Sequence, residues 1–426
     1  MITLHVDILI KNANELITLA GHSERPKIGN ELKELGIIKD GAVAILNEKI
    51  VALGKTKEIT KKYDADEMID AKGKIVLPGL IDPHTHLVYS GAREDELTLK
   101  LEGVPYLEIL KRGGGILKTV RLTREASEDK LCKEALDRLN NAMINGTTTI
   151  EAKSGYGLDT KNEIKILRVY KMLDEKHPID IVPTFLGAHA IPPEYANEPQ
   201  KYVDLIIDEM IPKVSKERLA TFNDVFVEKN VFSYQQGLQI LESGKKYGLI
   251  PKVHADEFND LGGAKLGAVV GAISADHLLN SSLEGLKLMA EKNVIGVLLP
   301  ATSMVLMNLK FADARRMIDL GVPIALGTDL NPNCWTENMQ LIMTLAVYFL
   351  KMTPAEAISA ATINAAHAIG KAREIGSIEV GKKADIIVMD IPNHQYIGYI
   401  FGRNFVDTVI KCGEIIIREK IIRRKF

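Results

Sequence analysis

From about residue 75 onward the chain repeats one pattern: a short apolar run, a glycine-rich or polar loop, then an amphipathic stretch. Eight apolar runs fit it, at 79–86, 147–152, 180–188, 224–227, 250–254, 272–276, 294–299 and 323–328. Near-continuous apolar runs separated by helical patterns predict parallel strands buried on both faces. The stretches between them carry helix signals. Thr160-Lys-Asn-Glu163 and Ser233-Tyr-Gln-Gln236 read as capping boxes. Leu131, Ala135, Leu136, Leu139 and Ala142 mark one helix face, with Gly146 as a stop. Eight β/α units predict a (β/α)8 barrel of the triosephosphate isomerase (TIM) type, in which catalytic groups stand at the C-terminal strand ends. An open doubly wound sheet has the same periodicity, because strand count alone does not show closure.

The flanks follow a shorter period. Alternating strands are expected at 6–10, 42–46 and 50–53, with 74–76 leading into the barrel, and again at 385–389, 406–411 and 414–417. Each flank is thin for a core of its own. Together they predict a composite β-sandwich domain (1–77 plus 374–426) that the barrel (78–373) interrupts.

Composition changes this picture little. The 426 residues are enough for a large and a small domain, and 46% hydrophobic with 26% charged residues is ordinary globular content. A formal net charge of −2 offers no footprint for nucleic acid or an anionic membrane, and Arg423-Arg424-Lys425 reads as a solvated tail. Cys132, Cys334 and Cys412 are widely spaced, which argues against a disulfide framework or a zinc knuckle and fits a reducing compartment. The alternating start, MITLHVDILI, lacks the features of a leader, and no apolar run is long enough to span a bilayer. A soluble, cytoplasmic protein acting on a small molecule is the expectation.

Candidate chemistry collects at the strand ends. Asp82-Pro83-His84-Thr85-His86 closes the first run, and side chains two apart on a strand share a face, so both imidazoles can reach one metal ion. A lone His-x-His is weak evidence. Here His189, His254 and His277 end further runs, and Gly327-Thr328-Asp329 ends the eighth. Each has a structural reading by itself; their joint placement at one barrel face points to a metal-dependent catalytic site. His5, His22, His177, His367 and His394 lie elsewhere and read as structural or surface residues. Glu257, three residues past His254, is suited to shuttling a proton. Gly113-Gly114-Gly115 and Gly262-Gly263 read as turns rather than phosphate loops.

These residues resemble the amidohydrolase superfamily, in its single-metal form. The resemblance implies that His84, His86, His254 and Asp329 hold one Zn2+ or Fe3+ ion per chain, with His277 beside the substrate. Lys229, near the end of the fourth run, stands where two-metal members carry a carboxylated lysine, but the single-metal pattern fits better. Further motifs narrow the likeness to the imidazolonepropionase family: Ser90-Gly-Ala-Arg93-Glu, Gly113-Gly-Gly-Ile116, Thr123-Arg-Glu-Ala126, Lys153-Ser-Gly-Tyr156-Gly-Leu, Phe185-Leu-Gly-Ala-His189 and His254-Ala-Asp-Glu257. That likeness implies hydrolytic opening of 4-imidazolone-5-propanoate to N-formimidoyl-L-glutamate in histidine degradation, by a homodimer. Glu257, His277 and Asp329 would be catalytic; Arg93, Tyr156, His189, Glu257 and Asn331 would contact substrate or product. Asn333 and Cys334 would join these substrate contacts through their backbone; they replace the small Gly-Ser or Gly-Thr pair of the family, so a hydroxyl contact at that rim is lost. Two other readings stay open from residues alone: a ring deaminase of the same superfamily, and a catalytically inactive barrel used as a scaffold.

Overall fold

The eight apolar runs become eight parallel strands of a single sheet in the computed structural model, which describes residues 3–104, 108, 113–307 and 310–423. They are β1 (Leu80–Thr85), β2 (Thr147–Lys153), β3 (Asp180–Ala188), β4 (Phe222–Val227), β5 (Ile250–Ala255), β6 (Ser274–His277), β7 (Ile295–Leu298) and β8 (Ile324–Leu326). Each pairs with the next in chain order. The last meets the first just past its own end. Asp329 donates its N–H to the His84 carbonyl at 3.0 Å, and His86 donates to Leu330 at 2.8 Å. Asp82 adds a side-chain clasp, accepting the Thr328 N–H at 3.0 Å and the Thr328 hydroxyl at 2.5 Å. The sheet therefore closes into a barrel, which the open-sheet alternative does not allow.

The helices between the strands follow local chemistry. Ser233 caps Tyr234–Lys246 with Gln236 reciprocating, as its spacing predicts. The helix Glu128–Ile144 starts on Ser127 and buries Leu131, Ala135, Leu139 and Ala142. The expected box at Thr160 is different. Asp159 is the cap there, accepting from Asn162 N–H, and Thr160 is already the first helical residue. Glu163 turns away from the cap and accepts the N–H groups of Gly155, Gly157 and Leu158 at 3.0, 2.7 and 2.8 Å. A buried carboxylate oxygen gains more from several converging donors than from one cap. Gly115 and Gly263 each open a helix (Gly115–Glu125 and Gly263–Val270), so neither glycine run is only a turn.

Both termini build the second layer. Leu4–Ala13, Gly41–Leu46, Lys49–Lys55 and Tyr63–Asp70 form a four-stranded sheet. A seven-stranded sheet joins Glu15–Ile17, Ile37–Ile38 and Ile75–Pro78 from the N-terminal side with Ile386–Met389, Val406–Lys411, Glu414–Arg418 and Ile421–Ile422. The seam is the antiparallel pairing of Ile386–Met389 with Ile75–Pro78. Period-two alternation decides what each face covers. Ile386, Val388 and Val76 pack against the four-stranded sheet, whereas Ile387, Met389, Ile75 and Leu77 join the barrel core. Tyr63–Asp70 escapes a hydrophobic scan because it is an acidic edge strand whose side chains are mostly solvated.

Candidate active site

The five metal-type residues converge at the C-terminal mouth of the barrel. His84 and His86 come from β1 and the residue after it, His254 from β5, His277 from the last position of β6, and Asp329 from just past β8. All five are buried. Donor atoms of His84, His86 and Asp329 lie within 4.8 Å of one another, and so do those of His84, His254 and His277. His84 is common to both triads. Its Nε2 and that of His86 each stand 3.5 Å from Asp329 Oδ1.

The protonation pattern suits a cation. His84 Nδ1 is 2.7 Å from Asp276 Oδ2. Burial would raise the Asp276 carboxyl, but Lys252 and Lys153 outweigh it and hold it low, so it is an ionised acceptor and His84 must donate from Nδ1. The Nε2 atoms of His84 and His254 are then buried without a hydrogen-bond partner among the described residues. Burial, with neighbouring positive charge, also pushes His84 and His86 well below the usual imidazole range. Neutral imidazoles with unsatisfied ring nitrogens are the form that ligates metal.

Around this centre stand the other candidates. His277 adopts φ +78°, an unusual backbone for a residue with a side chain, and its Nδ1 lies 3.8 Å from Glu257 Oε1. Burial and the Asp329 charge push Glu257 well above the usual carboxylate range. The loop bearing Glu257 is pinned by Asp256, which accepts the N–H groups of Gly263 (2.8 Å) and Ala264 (3.0 Å) and the Ser281 hydroxyl (2.8 Å). His189 stacks on His86, centroids 4.7 Å apart and planes at 14°. Its Nδ1 lies 3.0 Å from the Gly155 carbonyl. Burial, then the His254 charge, lowers His189 to about 3. Tyr156 is buried, its ring 5.6 Å from His86 and 5.3 Å from His189. Arg93 occupies the N-cap position of the helix Glu94–Leu101 without a side-chain capping bond and is half-buried, its Nε lacking a hydrogen-bond partner among the described residues.

The rim after β8 is held together by its own side chains. The Asn331 side chain closes its own loop: Nδ2 donates to the Asp329 carbonyl at 2.7 Å, and Oδ1 accepts from Asn333 N–H (2.8 Å) and Cys334 N–H (3.1 Å). Asn333 Oδ1 takes the Lys100 ammonium, and the buried Cys334 thiol faces the Thr328 carbonyl at 3.6 Å. These residues shape the rim through each other. Thr302, which the sequence did not single out, donates to Asp329 Oδ2 at 2.6 Å. Lys153, Asp224 and Asp276 were also missed. Their signal was available: each is a charged residue inside a strand otherwise buried on both faces, where charge is rarely kept without a partner.

The amidohydrolase family model matches residues 75–416. Among solved structures, an adenosine deaminase from Xanthomonas campestris with bound zinc is similar over all of this chain and 96% of its own, with TM-score 0.74 and 19% identity, a likeness of fold. The barrel, its histidine-rich mouth and the family match make the chain a member of the amidohydrolase family, whose enzymes depend on metal. An imidazolonepropionase from Geobacillus kaustophilus is 54% identical over 97% of this chain and 98% of its own length. One from Alkaliphilus oremlandii is 51% identical over 98% and 99%. Within the amidohydrolases, the chain belongs to the imidazolonepropionase family.

Proposed function

We propose that this chain hydrolyses 4-imidazolone-5-propanoate to N-formimidoyl-L-glutamate, a step of histidine degradation. The observation that carries this reading is the near-full-length likeness to imidazolonepropionases, borne on a site with every ligand-type residue present. His84, His86, His254 and Asp329 would hold one Zn2+ or Fe3+ ion, which when bound supplies Lewis acidity for the ring carbonyl and lowers the pKa of water toward neutrality. The chain's own groups do the rest. Arg93 offers a planar fork to the propionate carboxylate, and Tyr156 and His189 line the ring's binding face. Glu257, with Asp329, takes a proton from the attacking water. A bond forms between the water oxygen and the ring carbonyl carbon. The carbon–nitrogen bond of the cyclic amide then breaks, and Glu257 delivers the proton to the departing nitrogen. His277 steadies charge on the carbonyl oxygen as a neutral donor. A cytoplasmic homodimer belongs to the same reading; among the described residues no helix is long and apolar enough to cross a membrane.

Steady-state kinetics on freshly generated substrate test it. The metal-replete chain should consume the substrate well above its spontaneous decay. Arg93→Met should lose a charge-assisted contact of about 1.5–3 kcal/mol, read as a KM about 10- to 150-fold higher. Decay at the spontaneous rate by metal-loaded protein, or ammonia release from a nucleobase panel, would overturn the substrate assignment.

A further inference from the structure

Below the mouth of the barrel, one buried cation faces three carboxylates. Lys153, the last residue of β2, is wholly buried, its ammonium 2.8 Å from Glu151 Oε1, 2.9 Å from Asp224 Oδ2 and 3.4 Å from Asp276 Oδ2. The same two aspartate oxygens also address histidines: Asp276 Oδ2 accepts from His84 Nδ1 at 2.7 Å, and Asp224 Oδ2 lies 2.9 Å from His254 Nδ1. Their other oxygens are fixed too. Asp224 Oδ1 accepts from Val225 N–H (2.7 Å) and His254 N–H (3.1 Å), and Asp276 Oδ1 accepts from the Ser274 hydroxyl (2.7 Å). Lys252, the second buried lysine of this interior, turns elsewhere and donates to the Ala368 carbonyl at 3.1 Å.

The ammonium donates hydrogen bonds to Glu151 and Asp224 and stands in ion-pair contact with Asp276, and its charge offsets carboxylates that burial would otherwise make costly. His84 meets this cluster by a hydrogen bond through Nδ1 and His254 by an ion-pair contact through Nδ1, whose hydrogen-bond geometry is not met; the Nε2 atoms of both are buried and unpartnered among the described residues. A carboxylate behind a ligating imidazole fixes ring orientation and the proton's position. Here one lysine hydrogen-bonds the carboxylate on β4 and pairs in charge with the one on β6 at once.

We infer that Lys153 is a positioning residue of the metal centre, holding Asp224 and Asp276 so that His254 and His84 aim Nε2 at a single ion. This rests on the proposed role of those two histidines as ligands. Lys153 touches neither ion nor substrate in this scheme; it acts through the aspartates.

Zinc titration of the full chain against a chromophoric chelator, the visible spectrum of the Co2+-substituted protein and thermal melting test the inference. Lys153→Met leaves three buried carboxylates without their cation and risks unfolding. Lys153→Met combined with Glu151→Gln removes one charge of each sign and should melt cooperatively. Both variants should bind zinc about 10- to 100-fold more weakly than wild type, and the double variant should show altered Co2+ bands. Wild-type zinc affinity and an unchanged Co2+ spectrum in the double variant would overturn the inference, making Lys153 a charge-balancing residue. Failure of the double variant to fold would count against it in the same way. A wild-type chain that binds no zinc, iron or cobalt would instead remove the metal site on which it rests.

Discussion

At the scale of the residue, the proton-carrying role proposed for Glu257 is the sharpest to test. It stands buried beside His277 and next to the centre without belonging to either donor triad, on a loop that Asp256 and Glu228 hold from two sides. Removing its proton-carrying capacity while keeping its shape isolates that role. Glu257→Gln should retain metal, by elemental analysis, and lose turnover by about 10²- to 10⁴-fold. Full activity would take Glu257 out of the reaction. Single residues were legible where chemistry and spacing coincide, as in His84-Thr85-His86. They were less so where a role depends on what a side chain meets across the fold. Nothing in sequence said that Asn331 would satisfy its amide within its own loop, or that Lys153 would stand between Asp224 and Asp276. The lysine's pairings join positions far apart in the chain, and the amide's are a choice among close neighbours that spacing does not decide.

At the scale of the element, strands were easier to read than caps. A strand buried on both faces is mostly apolar, so its limits show directly in β3 and to within a residue in β7. A cap is settled by competition between nearby acceptors. Thr160 and Asp159 both had the chemistry, and Glu163 had a better use in the loop that carries Tyr156. His177, which closes the helix Thr160–Lys176, gives this scale its pH prediction. Burial lowers it to about 4, and its Nδ1 accepts the Ile179 N–H at 3.1 Å. Between about pH 6.5 and 4 the unfolded chain takes up a proton at this site that the folded chain refuses, so stability falls as pH falls through that window. The contribution approaches about 3 kcal/mol by pH 4. Denaturant melts at pH 7 and pH 4 should show a smaller loss for His177→Gln than for wild type. Equal losses would mean that His177 is protonated in the folded state.

At the scale of the whole molecule, the barrel's closure and the split second layer work together. Asp82 and the β1–β8 seam bring Asp329 beside His84 and His86, residues that chain order separates most widely in the barrel. The terminal strands are joined by Ile75–Pro78, which runs directly into β1, so the composite sheets anchor the strand that bears His84 and leads into His86. The pairing of flanks was legible from two short alternating segments, each too small alone. The packing of residues such as Leu32 and Leu35 onto the barrel core was not, because their apolar spacing carries no address.

The central claim is that water adds to the ring carbonyl of 4-imidazolone-5-propanoate at this site. Mass spectrometry after turnover in 18O-labelled water tests it most directly. The account predicts N-formimidoyl-L-glutamate carrying one 18O in the newly formed carboxylate, at a rate that Glu257→Gln lowers by about 10²- to 10⁴-fold. Unlabelled product, or release of ammonia in place of ring opening while metal is bound, would contradict it.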